Sequence, residues 1–127
     1  MKKTLFRFVC ILWLSIACSA LAHHSPAVFD RTKEVKLVGV VKEFKWGNPH
    51  SWIELDVRNE AGNVESWSLE MNPPTYLVKA GWKSTTIKPG ESVTVMINPF
   101  RTSEKSGKFV SITLPDGRVL KDAGSAP

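Results

Sequence analysis

The residues of this chain best suited to chemistry are its three histidines, His23, His24 and His50. His23 and His24 follow the small-x-small tripeptide Ala20-Leu21-Ala22, just where an apolar N-terminal run ends. A cut after Ala22 makes His23 the amino-terminal residue, which then offers one metal ion both its free amine and its ring nitrogen. A second imidazole completes a nitrogen-rich planar site of the kind Cu(II) favours, an arrangement called a histidine brace. His50 is the histidine available for that second position, and His24 can join it. A cut one residue earlier leaves Ala22-His23-His24, which places an imidazole third and still chelates Cu(II) through backbone nitrogens. The plainer alternative is a mobile terminus and a His50 that, following Pro49 in a turn, hydrogen-bonds backbone. Met71 and Met96 are possible soft ligands, but Met71 shares the apolar parity of Trp67 and Leu69 and reads as packing.

The cut itself is expected from the first segment. Lys2, Lys3 and Arg7 supply a basic start, Phe8 to Ala17 an apolar run, and Ala20-Leu21-Ala22 a cleavage junction. Residues 1–22 therefore read as a signal peptide, and the chain as exported to the periplasm. The apolar run is shorter than the roughly 20 residues a membrane-spanning helix needs. An uncleaved anchor and lipidation at Cys18 are the weaker alternatives. Cys10 and Cys18 both fall in this segment, so the mature chain is expected to hold no disulfide, thiolate metal site or cysteine nucleophile. Three of the 17 Lys+Arg also lie there; 14 remain against 12 Asp+Glu, so the whole-chain net charge of +5 falls to +2. No basic stripe of the kind that tracks a phosphate backbone is left. Neither a nucleic-acid partner nor a membrane span after signal removal is expected.

Two further chemistries compete with a metal site. Trp46, Asn48, Pro49, His50 and Trp52 surround one loop, and Asn98, Phe100 and Arg101 lie in another. Exposed aromatics beside polar groups mark recognition surfaces, so these residues can grip a periplasmic protein or a small ligand. Equally, Trp46 and Trp52 can cover an open barrel edge while Asn-Pro shapes the turns. Glu54, Asp56 and Glu70 could act as acid–base carboxylates, and Ser51 lies beside His50. Neighbours on a strand point to opposite faces, however, so Ser51 and His50 do not naturally pair. No phosphate loop, zinc motif or nucleophile elbow is present, and no enzymatic activity is expected.

The 105 residues from His23 onward suffice for one domain. An arm over 23–33 precedes Glu34 to Trp46, a run rich in β-branched residues that reads as one long strand. Its apolar parity changes along the way, which predicts a bulge or bend near Gly39. Ser51 to Val57 alternates cleanly, with Ile53, Leu55 and Val57 inward and Trp52, Glu54 and Asp56 outward. The loop at Asn59 to Asn63 closes a hairpin with Val64 to Met71. Asn72 as cap, Pro73 at the first position and Gly81 past the end predict one short helix. Ser92 to Asn98, Phe109 to Leu114 and a brief Arg118 to Leu120 complete the strands, and 122–127 reads as a flexible tail. Three strands, a helix and two strands give an all-β chain with one short helix. That order predicts a small OB-like, five-stranded, partly open barrel over 34–121. In it, the loops at Gly47–Ser51 and Asn98–Gly107 are expected near one mouth.

Particular stretches carry a resemblance. They are "AHHS" at Ala22 to Ser25, "FD" at Phe29-Asp30, "GVVKEFKWGNPHSWI" at Gly39 to Ile53 and "WSLEMNPP" at Trp67 to Pro74. "GW" at Gly81-Trp82, "KPGESVTV" at Lys88 to Val95, "NPFR" at Asn98 to Arg101 and "LPDGR" at Leu114 to Arg118 continue it. Over nearly the whole mature chain this resembles a family of small exported bacterial proteins catalogued as domain of unknown function 6152. The resemblance implies the same barrel and supplies no activity. The sequence thus leads to an exported, non-catalytic binding module. Its candidate ligand is Cu(II) at His23 and His50; the alternative is a partner held by Trp46, Trp52 and Phe100 with no metal.

Overall fold

A long first strand organises the domain. The computed structural model describes residues 28–124; the expected signal peptide, its expected cut, His23 and His24 lie outside the described residues. Strand β1 (Val35–Lys45) pairs antiparallel with two others in turn. Its first half lies on β4 (Ser92–Pro99), from Val35 opposite Ile97 to Val40 opposite Ser92. Its second half lies on β2 (Trp52–Arg58), from Gly39 opposite Val57 to Lys45 opposite Trp52. At Gly39 the strand is shared by both partners. A Cβ there would stand 2.6 Å from the Asp56 carbonyl oxygen, so only glycine allows so close a crossing.

The expected bulge exists, but it sits at Lys42 rather than at Gly39: the register slips between Val41 and Glu43. An extra residue on one strand of a pair exchanges its inward and outward positions. Leu37 and Val41 are buried before the bulge, and Phe44 and Trp46 pack on the core after it.

Strand β3 (Val64–Glu70) returns along β2, with Arg58 opposite Val64 and Trp52 opposite Glu70. Strand β5 (Ser106–Thr113) pairs antiparallel with β4 and parallel with β3, from Ser68 opposite Ser106 to Glu70 opposite Lys108. Those parallel pairs close the ring β1-β2-β3-β5-β4, an OB-like barrel of five strands. Strand β6 (Val119–Lys121) extends it beside β5. Ile53, Leu55, Leu69, Val95, Ile97, Phe109 and Ile112 fill the interior, each almost wholly buried. Alternation along β2 and β4 accounts for this, since every second side chain faces in.

Helix α1 (Pro74–Leu77) and the 3₁₀ turn Val78–Ala80 follow β3 and add Leu77 to the core, with Ala80 packed against it. Gly81 ends them with φ of 88°, a left-handed conformation natural to glycine. Trp82 follows into the core, edge-on to Phe109 at 5.6 Å, and its Nε1 donates to the Lys121 carbonyl at 3.0 Å. The helix starts one residue later than expected, and Asn72 does not cap it. Instead the Asn72 side-chain amide donates to the Ala123 carbonyl, and its backbone N–H donates to Asp122 Oδ1 at 3.2 Å. Asp122 is buried and lies 3.3 Å from Lys108 Nζ. Of the tail expected to be flexible over 122–127, Asp122 and Ala123 are therefore docked, and residues 125–127 lie outside the described residues.

Candidate functional site

His50 is presented by a loop stapled to the end of β3. Ser51, fully buried, accepts through its carbonyl from the Met71 N–H at 2.9 Å and donates its own N–H to the Asn72 carbonyl at 3.4 Å. The Gly47 N–H reaches Ser51 Oγ at 3.4 Å, and the Asn48–Pro49 peptide is cis. The β1–β2 loop is thereby folded against β3, with His50 half-buried on its rim. Its Nδ1 lies 3.1 Å from the Met71 carbonyl oxygen and 3.2 Å from Glu70 Oε1. A carbonyl and a carboxylate both only accept, so Nδ1 carries the proton and donates. In the neutral ring the lone pair then sits on Nε2.

Glu70 belongs to the outer face of β2 and β3, because cross-strand partners share a face. Its row runs Lys45, Trp52, Glu70, which places Trp52 outward as its parity predicts. On the next rows Lys45 Nζ holds Glu54 at 3.0 Å and Glu43 at 3.6 Å, while Ser68 Oγ donates to Glu54 at 3.0 Å and Ser66 Oγ to Asp56 at 2.7 Å. The Glu54 hydrogen bond raises the Lys45 ammonium pKa above its ordinary value. Glu54 and Asp56 are thus members of a surface hydrogen-bond network. Beside Glu70, Lys108 reaches Asn72 Oδ1 at 3.4 Å as well as Asp122. Burial pushes the Asp122 carboxyl up, against the opposing pull of Lys108.

The second predicted cluster serves another purpose. The arm before β1 lies against the β4–β5 loop: Asp30 N–H donates to the Pro99 carbonyl at 2.8 Å, and Arg101 N–H to the Val28 carbonyl at 2.9 Å. Phe29, 7 % exposed, stacks on Phe100 with ring centroids 5.0 Å apart. Asn98 Nδ2 donates to the Lys33 carbonyl at 2.8 Å, and the Arg101 guanidinium stands 3.9 Å from Asp30. Asn98, Phe100 and Arg101, expected to grip a partner, hold the arm against this loop. Trp46 packs on the core, edge-on to Phe44 at 5.6 Å, while Asn48 stays exposed in its turn.

Both loops reach β3. Lys105 of the β4–β5 loop accepts from the Ser68 N–H, pairs with Glu65 at 3.0 Å and covers the Trp67 ring at 5.4 Å. The β1–β2 loop holds the same strand at Met71, three residues further on.

Among the described residues, no three of His, Cys, Asp and Glu gather into a metal-binding group. Met71 is fully buried and so not a ligand; Met96 sits opposite Lys36 and Ser111 on another face. Sequence alone offers Glu70 as an acid–base group and does not connect it with a histidine; in the structure it is the carboxylate on His50. A signal for that contact exists in the pairing. Setting Arg58 against Val64 across the hairpin puts Glu70 opposite Trp52, two residues from His50.

Residues 12–109 match the model of a family of unknown function, DUF6152. No curated protein matches the chain. The fold is similar to a crystal structure of a mitochondrial single-stranded DNA-binding protein from S. cerevisiae, Rim1. The identity is 13 % and the TM-score 0.47, over 71 % of this chain and 96 % of that one. No helix among the described residues is long and apolar enough to cross a membrane.

Proposed function

The chain belongs to the DUF6152 family, and on that premise we propose that it is an exported, non-catalytic module that binds Cu(II). The metal is held between His50 Nε2 and the amino end freed at His23, with His24 as a further imidazole. One observation carries this reading: Nδ1 of His50 donates to Glu70 and to the Met71 carbonyl. Metal-binding histidines are characteristically held in this way, with one ring nitrogen donating to a carboxylate or carbonyl and the other directed at the metal.

The surroundings support the same reading. The five residues His23 to Ala27 separate the proposed chelating end from Val28, whose carbonyl is tied to Arg101. Fully extended, such a lead spans on the order of 17 Å. A site of imidazole and amine nitrogens, with Met71 in the core, suits Cu(II) over Cu(I). The rival reading, a partner gripped by aromatics, keeps only Trp52, since Trp46 and Phe100 pack internally. A nucleic-acid ligand is disfavoured by Glu43, Glu54, Asp56 and Glu70 on the face where OB folds bind it, because single strands require a basic groove.

Mass spectrometry of the exported protein would establish its first residue. Titration of that protein with Cu(II), followed by electron paramagnetic resonance, is expected to show one type-2 site per chain. His50→Ala should change the spectrum and weaken binding at least about tenfold, the loss of one inner ligand being larger than the effects of outer ones. An unchanged spectrum and affinity would refute the reading.

A further inference from the structure

We propose that the outer face of β1, β4, β5 and β6 is where a second copy of this chain docks, the two faces being related by a two-fold axis through Val38. The inference is independent of the metal reading. Outward positions on the solvated face of an antiparallel sheet are ordinarily polar. Here the middle row across four strands is Val38, Thr94, Thr113 and Val119, and the next row holds Val40 and Ser92. Val38, Val40 and Val119 are 60, 42 and 58 % exposed. Small β-branched side chains in rows make a surface on which another sheet can lie, about 10 Å away.

The pattern of charge selects a second copy as the occupant. Along β1 the outward positions read Glu34, just before the strand, then Lys36, Val38, Val40 and Lys42. Asp56 of β2 stands opposite Val40, and Lys42 reaches Ser66 across the outer face of β2. The signs reverse about Val38. Laying β1 of one copy antiparallel over β1 of another, centred on that residue, brings Glu34 to Lys42 of the other copy. Lys36 then meets the end where Val40 and Asp56 stand, and Val38 meets Val38. A surface that complements its own reverse is what an isologous contact requires. A lipid surface, or any partner of one sign, would meet like charge at one end or the other. Docking is face to face because the outer edge of β6 is taken: the Lys121 carbonyl accepts from Trp82 Nε1 at 3.0 Å, and Gly81 lies beside Leu120. Four strands about 4.8 Å apart and three rows two residues apart span roughly 19 by 14 Å. Even with its rim, such a patch is smaller than the ~800 Å² per partner of a standard interface, so the dimer is weak and concentration-dependent.

Sedimentation velocity of the exported protein over a range of concentrations tests this, and wild type is expected to self-associate. In Val38→Asp, aspartate meets aspartate across the axis, and association should fall at least about tenfold. Lys36→Glu and Asp56→Lys each set like charges together and should dimerise poorly alone. Their equimolar mixture restores both contacts and should associate as wild type does. Val64→Asp, at a valine 57 % exposed on β3, is the control that leaves association unchanged. Thermal melts of the same samples establish folding. A wild type that stays monomeric, full association in Val38→Asp, or a mixture no stronger than its components would overturn the proposal. So would a monomer that sediments with phosphatidylglycerol vesicles unless Val38 is changed to Asp, which would assign the face to a lipid surface.

Discussion

Phe29 rests its ring on Phe100, centroid to centroid 5.0 Å, and so binds the arm before β1 to the loop after β4. The arm covers backbone that the end of β4 would otherwise leave unpaired, since Asp30 and Arg101 exchange main-chain bonds with Pro99 and Val28. Phe29→Ala should cost about 3 kcal/mol, the low end for a buried phenylalanine because this one lies outside the central core. Urea denaturation measures it. A loss below about 1 kcal/mol, the scale of a surface change, would mean that the arm is not docked in solution.

The same latch makes a pH prediction. The Thr32 hydroxyl donates to Asp30 Oδ1 at 2.6 Å, and Arg101 and Lys33 stand nearby, so the Asp30 carboxyl is held below its ordinary value. A carboxyl with a lowered folded-state pKa binds fewer protons folded than unfolded. Its contribution is complete above the ordinary carboxylate range and is lost as pH falls through the folded value. Asp30→Asn should therefore flatten the acid limb of the stability curve below about pH 4. Parallel acid limbs in the two proteins would contradict this.

At the crossing of β1 over β2, Gly39→Ala should destabilise by about 1–3 kcal/mol or more, as overpacking does. The added methyl would meet the Asp56 carbonyl oxygen at 2.6 Å and Leu55 Cγ at 2.9 Å, and the backbone oxygen cannot turn away. Gly47→Ala meets nothing within 4 Å and should be near neutral. Thermal melts of the pair make the comparison, and equal melting temperatures would refute it.

Much of the barrel is legible in the sequence because alternation reports which face is buried. Ile53 and Leu55 against Trp52 and Glu54 read correctly from parity alone, and the Leu37-to-Phe44 parity change implies a bulge whose position only the Val41/Glu43 register can give. The helix end at Gly81 is also legible, through a residue that accepts the left-handed conformation. Contacts between distant segments are not. Phe100 in a polar loop has the same sequence signature whether it meets a partner or Phe29, and the hydrogen bonds joining Asn72 to Asp122 and Ala123 have no local periodicity. Met71 is different: its parity with Leu69 already places it in the core.

Trp52 and Trp82 should respond in opposite ways. Trp82 is buried, stacked edge-on against Phe109 and bonded to Lys121, so Trp82→Ala should cost about 3–5 kcal/mol. Trp52 lies on the outer face, and Trp52→Ala should cost much less while leaving copper affinity unchanged. A Trp52→Ala protein that folds normally but loses copper would place that indole in the metal site and contradict a site built from histidine and amine nitrogens alone.

One Cu(II) joining His50 to the amino end of the mature chain is the claim on which the proposed function depends. Competition titration against a chelator of known affinity, on wild type, His50→Ala and a protein whose amino terminus is blocked by acetylation, tests it most directly. Both changes are predicted to weaken binding, and each to give a different copper spectrum, since each removes a different nitrogen. Wild-type affinity and spectrum in either protein would contradict it.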